Sequence, residues 1–213
     1  MMTLIAFQQF SGAFVLRYYA LDLYRNAGFG EEMALELTIF LGIVKVIAVG
    51  SALCYMDTIG RKFLLMLSTG LVAMGYAVLF VAFLHGASTD AWGWYFGGGA
   101  LIIGGYGVGL GPALRLMESE CFPAGIRGRI MAVCVIVRYA CEFVVNMCFL
   151  SIVNLASERE AFLIFYIFCV VGMLFIYFFV IETFQKEPHE ILKEFYSLAN
   201  GGIKRDSDMD MLL

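Results

Sequence analysis

Charged and histidine side chains are scarce in this chain of 213 residues. Only 15% of its residues are charged and 62% are hydrophobic, and the mean hydropathy is +0.85. Soluble domains carry about 25% charged residues, so this composition excludes an ordinary soluble domain. The sequence also lacks a phosphate-binding loop, metal-ligand spacing and a nucleophile beside a base, so we expect no enzyme, metal or cofactor.

Six long apolar runs take up most of the sequence. Each is close to the roughly 20 residues that a helix needs to cross about 30 Å of hydrocarbon. The runs cover residues 1–21, 33–56, 63–85, 92–117, 130–155 and 161–181. We therefore predict an all-α membrane protein in which residues 1–186 form six transmembrane helices.

Lysine and arginine residues outside these runs are divided unevenly between the two sides of the membrane. The side that holds the Asp57 loop, the loop after Met117 and the C-terminal region carries eight of them, whereas the other side carries Arg25 and Arg159. By the positive-inside rule, the first side and the C-terminus are cytoplasmic. Residues 187–200 have helical apolar spacing that predicts a short cytoplasmic amphipathic helix, and residues 201–213 are expected to form a disordered tail.

The fourth run is rich in glycine and is followed closely by Pro112. Glycine lets helix backbones approach closely, whereas proline removes a backbone hydrogen bond. Gly111 and Pro112 are therefore candidates for the point at which this helix bends. Tight helix packing alone would explain the same glycines.

Four sequence motifs occur at defined places relative to the six runs. They are Gln8-Gln9-Phe10-Ser11-Gly12 with Tyr18-Tyr19, Asp57-x-x-Gly60-Arg61-Lys62, Gly109-Leu110-Gly111-Pro112 followed by Ser119-Glu120-Cys121-Phe122-Pro123 and Arg127-Gly128-Arg129, and Glu182-Thr183. In this order and spacing they resemble the C-terminal half of the sugar porters, the facilitative glucose transporter family of the major facilitator superfamily. The resemblance covers nearly the whole chain.

The resemblance implies that the six runs are helices seven to twelve of a twelve-helix transporter. Its N-terminal six-helix half is the expected partner, and a small solute would bind between halves that rock around it to give alternating access. Gln8 and Gln9 match residues that bind sugar hydroxyls, and Tyr18 and Tyr19 match the outer gate. The cytoplasmic gating network is expected to comprise Asp57, Gly60, Arg61, Lys62, Glu120, Arg127, Arg129 and Glu182.

Four further positions expected to face the substrate depart from the family's pattern. Phe14 and Lys45 stand where the resemblance predicts asparagines, Arg115 where it predicts a tryptophan, and Arg138 where it predicts another polar residue. A cation at the centre of a span costs about 2.5–3.5 kcal/mol on insertion scales. The three cations therefore require a functional or a structural explanation.

Two explanations of the cations remain open. In the first, Lys45, Arg115 and Arg138 attract an anion such as a carboxylate or an organic phosphate. In the second, the cations pair with Glu36, Glu142 or acidic residues of the other half, or extend to the membrane interface. The i, i+4 spacing predicts in particular that Glu142 offsets Arg138.

We expect a plasma-membrane transporter of sugar-porter type that moves a small polar solute, either a sugar or a small organic anion. An organic-anion porter of the same fold is the first alternative. A non-transporting sensor or an inert truncated relative is the second, because several site positions are altered. With six runs in place of twelve, the sequence is expected to be a fragment or one partner of an assembly.

Overall fold

The computed structural model describes residues 2–56, 58–85, 92–120, 122 and 124–180. Its helices are α1 (Met2–Phe10), α2 (Val15–Asn26), α3 (Glu31–Tyr55), α4 (Arg61–His85), α5 (Trp92–Gly105), a π-helical segment (Tyr106–Leu110), α6 (Pro112–Glu120), α7 (Ala124–Leu155) and α8 (Glu158–Phe179). The predictions for Asp57, Glu182, the amphipathic helix at 187–200 and the tail at 201–213 lie outside the described residues.

Five stretches of the described chain are long and apolar enough to cross a membrane. They are Glu31–Tyr55, Arg61–Leu84, Trp92–Glu120, Gly125–Leu155 and Glu158–Phe179. Their outward faces carry large apolar side chains, such as Val46 and Ile47 on α3 and Phe178 on α8, which are 72%, 65% and 66% exposed. Such faces suit hydrocarbon as the solvent, and the chain is an integral membrane protein.

The first apolar run differs from the prediction of one continuous helix over residues 1–21. α1 ends at Phe10 and α2 begins at Val15, and Gly12 between them has a φ of +66°. Glycine adopts this left-handed conformation readily because it has no Cβ. Helices of 9 and 12 residues are each shorter than the roughly 20 residues of a full span, so together they form one discontinuous span.

Aromatic side chains hold this discontinuous span against α8. The rings of Phe7 and Phe175 pack with their centroids 4.8 Å apart. At the break, a Cβ added to Gly12 would lie 2.6 Å from the ring of Phe165. Glycine at position 12 is therefore required twice, by its backbone conformation and by the close approach of α8.

The fourth run is also interrupted, directly before the predicted bend at Gly111 and Pro112. Between α5 and α6, the backbone N–H of Gly111 donates to Tyr106 O at 2.9 Å, which is the i→i+5 bond of a π-helix. Pro112 is then the first residue of α6, a position at which a missing N–H costs no intrahelical bond. The two interrupted spans supply the irregular backbone around which the candidate site is built.

Ser68 of α4 satisfies backbone groups at this interruption. Its hydroxyl accepts from the N–H of Leu110 at 2.7 Å and donates to Gly105 O at 2.6 Å, and the residue is completely buried. We expect Ser68→Ala to lower the free energy of unfolding by about 1–3 kcal/mol, because it leaves these buried groups without a partner.

Ser51→Ala is the matched control for this prediction, because among the described residues the Ser51 hydroxyl bonds only to Ala48 O within its own helix. Equilibrium unfolding in mixed micelles gives the comparison. Equal effects of the two substitutions would contradict the proposed role of Ser68.

Candidate functional site

Gln8 connects the end of α1 to the π-helical segment. Its Nε2 group donates to Leu110 O and, at 3.3 Å, to the hydroxyl of Tyr106. The residue is 1% exposed, and its Oε1 atom has no hydrogen-bond partner among the described residues. Because buried polar atoms are normally paired, this free acceptor distinguishes Gln8 from an amide with a purely structural role.

Gln9 connects α1 to α7. Its Nε2 group donates to Arg138 O at 3.2 Å and lies 3.5 Å from Glu142 Oε2. The second contact is at the limit of hydrogen-bond length and is therefore weak. The two neighbouring amides thus bind different elements, and both lie beside the break in the first span.

Glu142 joins α7 to the first turn of α2. Tyr18 donates its hydroxyl hydrogen to Glu142 Oε1 at 3.1 Å, and Arg17 lies 3.7 Å from the same oxygen. The Tyr18 residue is 56% exposed. By contrast, the ring of Tyr19 packs against Phe149 with centroids 5.2 Å apart, so the two tyrosines predicted for the outer gate have different environments.

Arg138 pairs with Glu118 of α6 and not with Glu142, which corrects the prediction from helical spacing. Both residues are buried, with Arg138 7% and Glu118 1% exposed. The sequence-based end of the fourth run at Met117 assigned Glu118 to a loop, whereas α6 continues to Glu120. The useful signal in the sequence was an acidic residue directly after an apolar run, although its partner could only be found in three dimensions.

Lys45 and Arg115 have no ion pair in the described part of the chain. Lys45 on α3 is half-buried and Arg115 on α6 is exposed, and the charges of Arg17 and Arg115 both act on Lys45. Phe14 is 4% exposed and packs in the apolar core, and its substrate-binding role stays a prediction. Its side chain therefore does not contribute to the surface on which the cations lie.

At the end of the bundle where α4 begins, Arg61 links this helix to two neighbouring elements. Its guanidinium donates to Met56 O at 2.8 Å and to Glu120 Oε1 at 2.9 Å. Lys62 donates to Tyr177 O at 2.8 Å.

Three other predicted network residues lie at this end of the bundle. Gly60 accepts the N–H of Leu64 at 3.1 Å as α4 begins, Arg127 donates to Phe122 O at 3.1 Å, and Arg129 is exposed. The structure thus contains the Arg61–Glu120 pair of the predicted gating network, and the gating role itself stays a prediction.

The two interrupted spans, with polar side chains gathered where the helices break, are typical of a membrane carrier. The family described as "Sugar (and other) transporter" matches residues 1–195, and the chain belongs to this family. The predicted resemblance to sugar porters is confirmed.

Two relatives illustrate the similarity in sequence. A facilitated trehalose transporter Tret1-2 homolog from Drosophila sechellia is 32% identical over 192 residues, which are 88% of this chain and 39% of that protein. The protein named "Probable plastidic glucose transporter 2" from Arabidopsis thaliana is 30% identical over 196 residues, or 89% of this chain and 38% of that protein. The chain therefore spans about two fifths of the length of these relatives.

Solved structures of the xylose transporter XylE share the fold. The proton:xylose symporter XylE bound to 6-bromo-6-deoxy-D-glucose gives a TM-score of 0.78 at 26% identity, covering 90% of this chain and 41% of that one. The inward-open conformation of XylE from E. coli gives 0.76 at 25% identity, covering 91% and 40%. The prediction of one half of a major facilitator fold is confirmed.

Proposed function

We propose that this chain forms the C-terminal half of a sugar-porter-type transporter, which moves a small polar solute by alternating access together with an N-terminal six-helix half. The observation that carries the proposal is the placement of Gln8 and Gln9 at the break in the first span, beside the π-helical segment. Transporters of several folds bind their substrates at discontinuous helices near the bilayer midplane. The relatives named as trehalose and glucose transporters, and the XylE complex with a halogenated glucose, favour a carbohydrate-like solute.

The two amides have suitable chemistry for solute hydroxyls, because an amide both donates and accepts hydrogen bonds. In this arrangement a hydroxyl hydrogen would bind the free Oε1 atom of Gln8. A hydroxyl oxygen would replace the 3.5 Å contact between Gln9 and Glu142, which is the weakest bond that Gln9 makes. With these two hydrogen bonds, the solute hydroxyls would bind the buried amides of Gln8 and Gln9.

Two polar clusters, at different depths in the bundle, would serve as gates. At the outer gate, the contacts of Glu142 with Arg17 and Tyr18 would link α2 to α7. The ring of Tyr19, which packs against Phe149, would form the apolar part of this gate. At the inner gate, Arg61 and Glu120 would act with the other predicted members, which are Asp57, Gly60, Lys62, Arg127, Arg129 and Glu182. Partly exposed ion pairs contribute about 0–1 kcal/mol each, so they can break and form during a transport cycle.

The π-helical segment with Gly111 and Pro112 would be the flexible point between α5 and α6. The positive-inside rule favours a cytoplasmic C-terminus on the side of Arg61 and Lys62. We assign the protein to the plasma membrane on the basis of the sugar-porter resemblance.

The Gln9→Met substitution tests the substrate-binding role, because it keeps the side-chain length and removes both polar atoms. We expect kcat/KM for sugar uptake by the full-length protein in proteoliposomes to fall by about three- to tenfold, since one neutral hydrogen bond contributes about 0.5–1.5 kcal/mol.

Thr38→Val is the control for Gln9→Met, because in the described part of the chain the Thr38 hydroxyl bonds only to Ala34 O of its own helix. Thermal unfolding of each variant separates loss of fold from loss of binding. Native-like uptake by a folded Gln9→Met variant would contradict the assignment.

A further inference from the structure

The cationic side chains within the spans fall into two groups. Arg17 and Arg138 each have a carboxylate partner on a neighbouring helix. Lys45 and Arg115 have none among the residues that the structure describes. A cation inside a span is costly unless a counter-charge accompanies it or its charged end reaches water. Without such an ion pair, both side chains are available to an anionic ligand.

Lys45 and Arg115 lie on elements that flank the π-helical segment. Ala48, one turn after Lys45 on α3, packs against Gly107 so closely that a Cβ added there would lie 3.0 Å from the Ala48 Cβ. Arg115 lies one turn after the segment, on α6. Tyr106 is the first residue of that segment, and the charge of Arg115 acts both on Lys45 and on the Tyr106 hydroxyl, so Arg115 joins the three groups into one electrostatic cluster.

Tyr106 adds a hydroxyl donor to this cluster. Its oxygen accepts from Gln8 Nε2 at 3.3 Å, and its own hydrogen has no acceptor among the described residues. An ammonium and a guanidinium are donors without acceptor capacity. Together, these groups offer only donors to a ligand, which is the chemistry that binds a carboxylate or phosphate.

We propose that Lys45, Arg115 and Tyr106 form an anion subsite beside Gln8 and Gln9, and that the transported solute is an acidic sugar or a similar polyhydroxy anion. This inference rests on the proposed function, since it names the substrate class of the same site. The amides bind hydroxyls and the subsite binds the carboxylate or phosphate. A carboxylate from the other half of the transporter has the same chemistry, and the experiment distinguishes it from a free solute.

Uptake into proteoliposomes that contain the full-length protein tests the subsite. The probes are labelled glucose, glucuronate and glucose 6-phosphate, with the membrane potential clamped at zero so that probe charge does not drive uptake. For the native protein we expect kcat/KM for one of the acidic probes to exceed that for glucose by about tenfold or more, because hydrogen bonds to charged groups contribute about twice as much as neutral ones.

The Lys45→Gln/Arg115→Gln double variant should lose this preference, with kcat/KM for the acidic probe falling by about tenfold or more relative to that for glucose. The Arg25→Gln/Arg159→Gln variant is the matched control, because it removes the same charge from exposed residues whose acidic partners lie near the helix ends. It should keep the native preference, and so should Arg115→Lys, which retains the positive charge.

The outcomes separate the inference from the function on which it rests. If the native protein takes up glucose and neither acidic probe competes with it, the inference is wrong, the carboxylate partner comes from the other half, and the proposed function stands. If the native protein takes up none of the probes, the proposed function fails and the inference fails with it. Should the double variant not fold, competition by acidic probes on native protein and on Arg115→Lys decides the inference alone.

Discussion

Replacing Glu118 with glutamine should lower the free energy of unfolding by about 3–5 kcal/mol, because it leaves the guanidinium of Arg138 buried without a counter-charge. Both partners are within the fold, at 1% and 7% exposure, so water cannot take over the role of the carboxylate. Arg138→Gln should have an effect of similar size, because it isolates the carboxylate of Glu118. Equilibrium unfolding in mixed micelles measures both effects.

The double variant Glu118→Gln/Arg138→Gln provides the control for this pair. Buried ion pairs can often be replaced together at little cost, because desolvation offsets much of their attraction. We therefore expect the double variant to be more stable than either single variant, which corresponds to a coupling energy above about 3 kcal/mol. Additive effects of the two single substitutions would show that the pair makes no specific contribution.

Gly109→Ala should have the second large effect, a loss of about 3 kcal/mol or more, at the upper end of the overpacking range. An added Cβ would lie 2.4 Å from Leu64 O and 2.7 Å from the Cβ of Ser68. The closest atom belongs to the backbone of α4, which cannot rotate away as a flexible side chain could. The π-helical segment would have to separate from α4, so transport should fall as well.

Gly97→Ala is the matched control on the adjoining helix α5. An added Cβ at this position meets no heavy atom within 4 Å among the described residues, and alanine favours a helix over glycine by about 0.5–1 kcal/mol. Gly97→Ala should therefore be neutral or slightly stabilising. If Gly109→Ala unfolds at the same denaturant concentration as Gly97→Ala, the close approach to α4 is not required.

The overall fold could be predicted because a membrane span leaves a strong signal in sequence. Apolar runs of span length give the helices α3 to α8, and the motifs around Gln8, Arg61 and Pro112 give their order within a known family. The break in the first span was not predicted, because Gln8, Gln9 and Gly12 lie within a run that is long enough to span the membrane as one helix. The left-handed φ of Gly12 is visible only in the structure.

The partners within the candidate site were harder to predict than its members. Helical spacing correctly places Arg138 and Glu142 on one face of α7, but it gives no information about α6, from which Glu118 reaches Arg138. Glu142 instead contacts Arg17 and Tyr18. Contacts between helices that are distant in sequence depend on how the helices cross, and one sequence does not specify this.

Phe14 shows how the break affects a neighbouring residue. Its position in the motif predicts a substrate-facing side chain, and the break at Gly12 turns the chain immediately before it. Phe14 packs in the apolar core at 4% exposure, and its contact with substrate stays a prediction.

Counterflow tests alternating access more directly than any other measurement. Proteoliposomes that contain the full-length protein are loaded with an unlabelled solute of the panel and diluted into a trace of the labelled solute. A carrier with one site exposed to each side in turn should accumulate label transiently above the external concentration, and Gln9→Met should reduce this overshoot. Entry of label to equilibrium without an overshoot, or no entry at all, would contradict the proposal that this chain forms half of an alternating-access transporter.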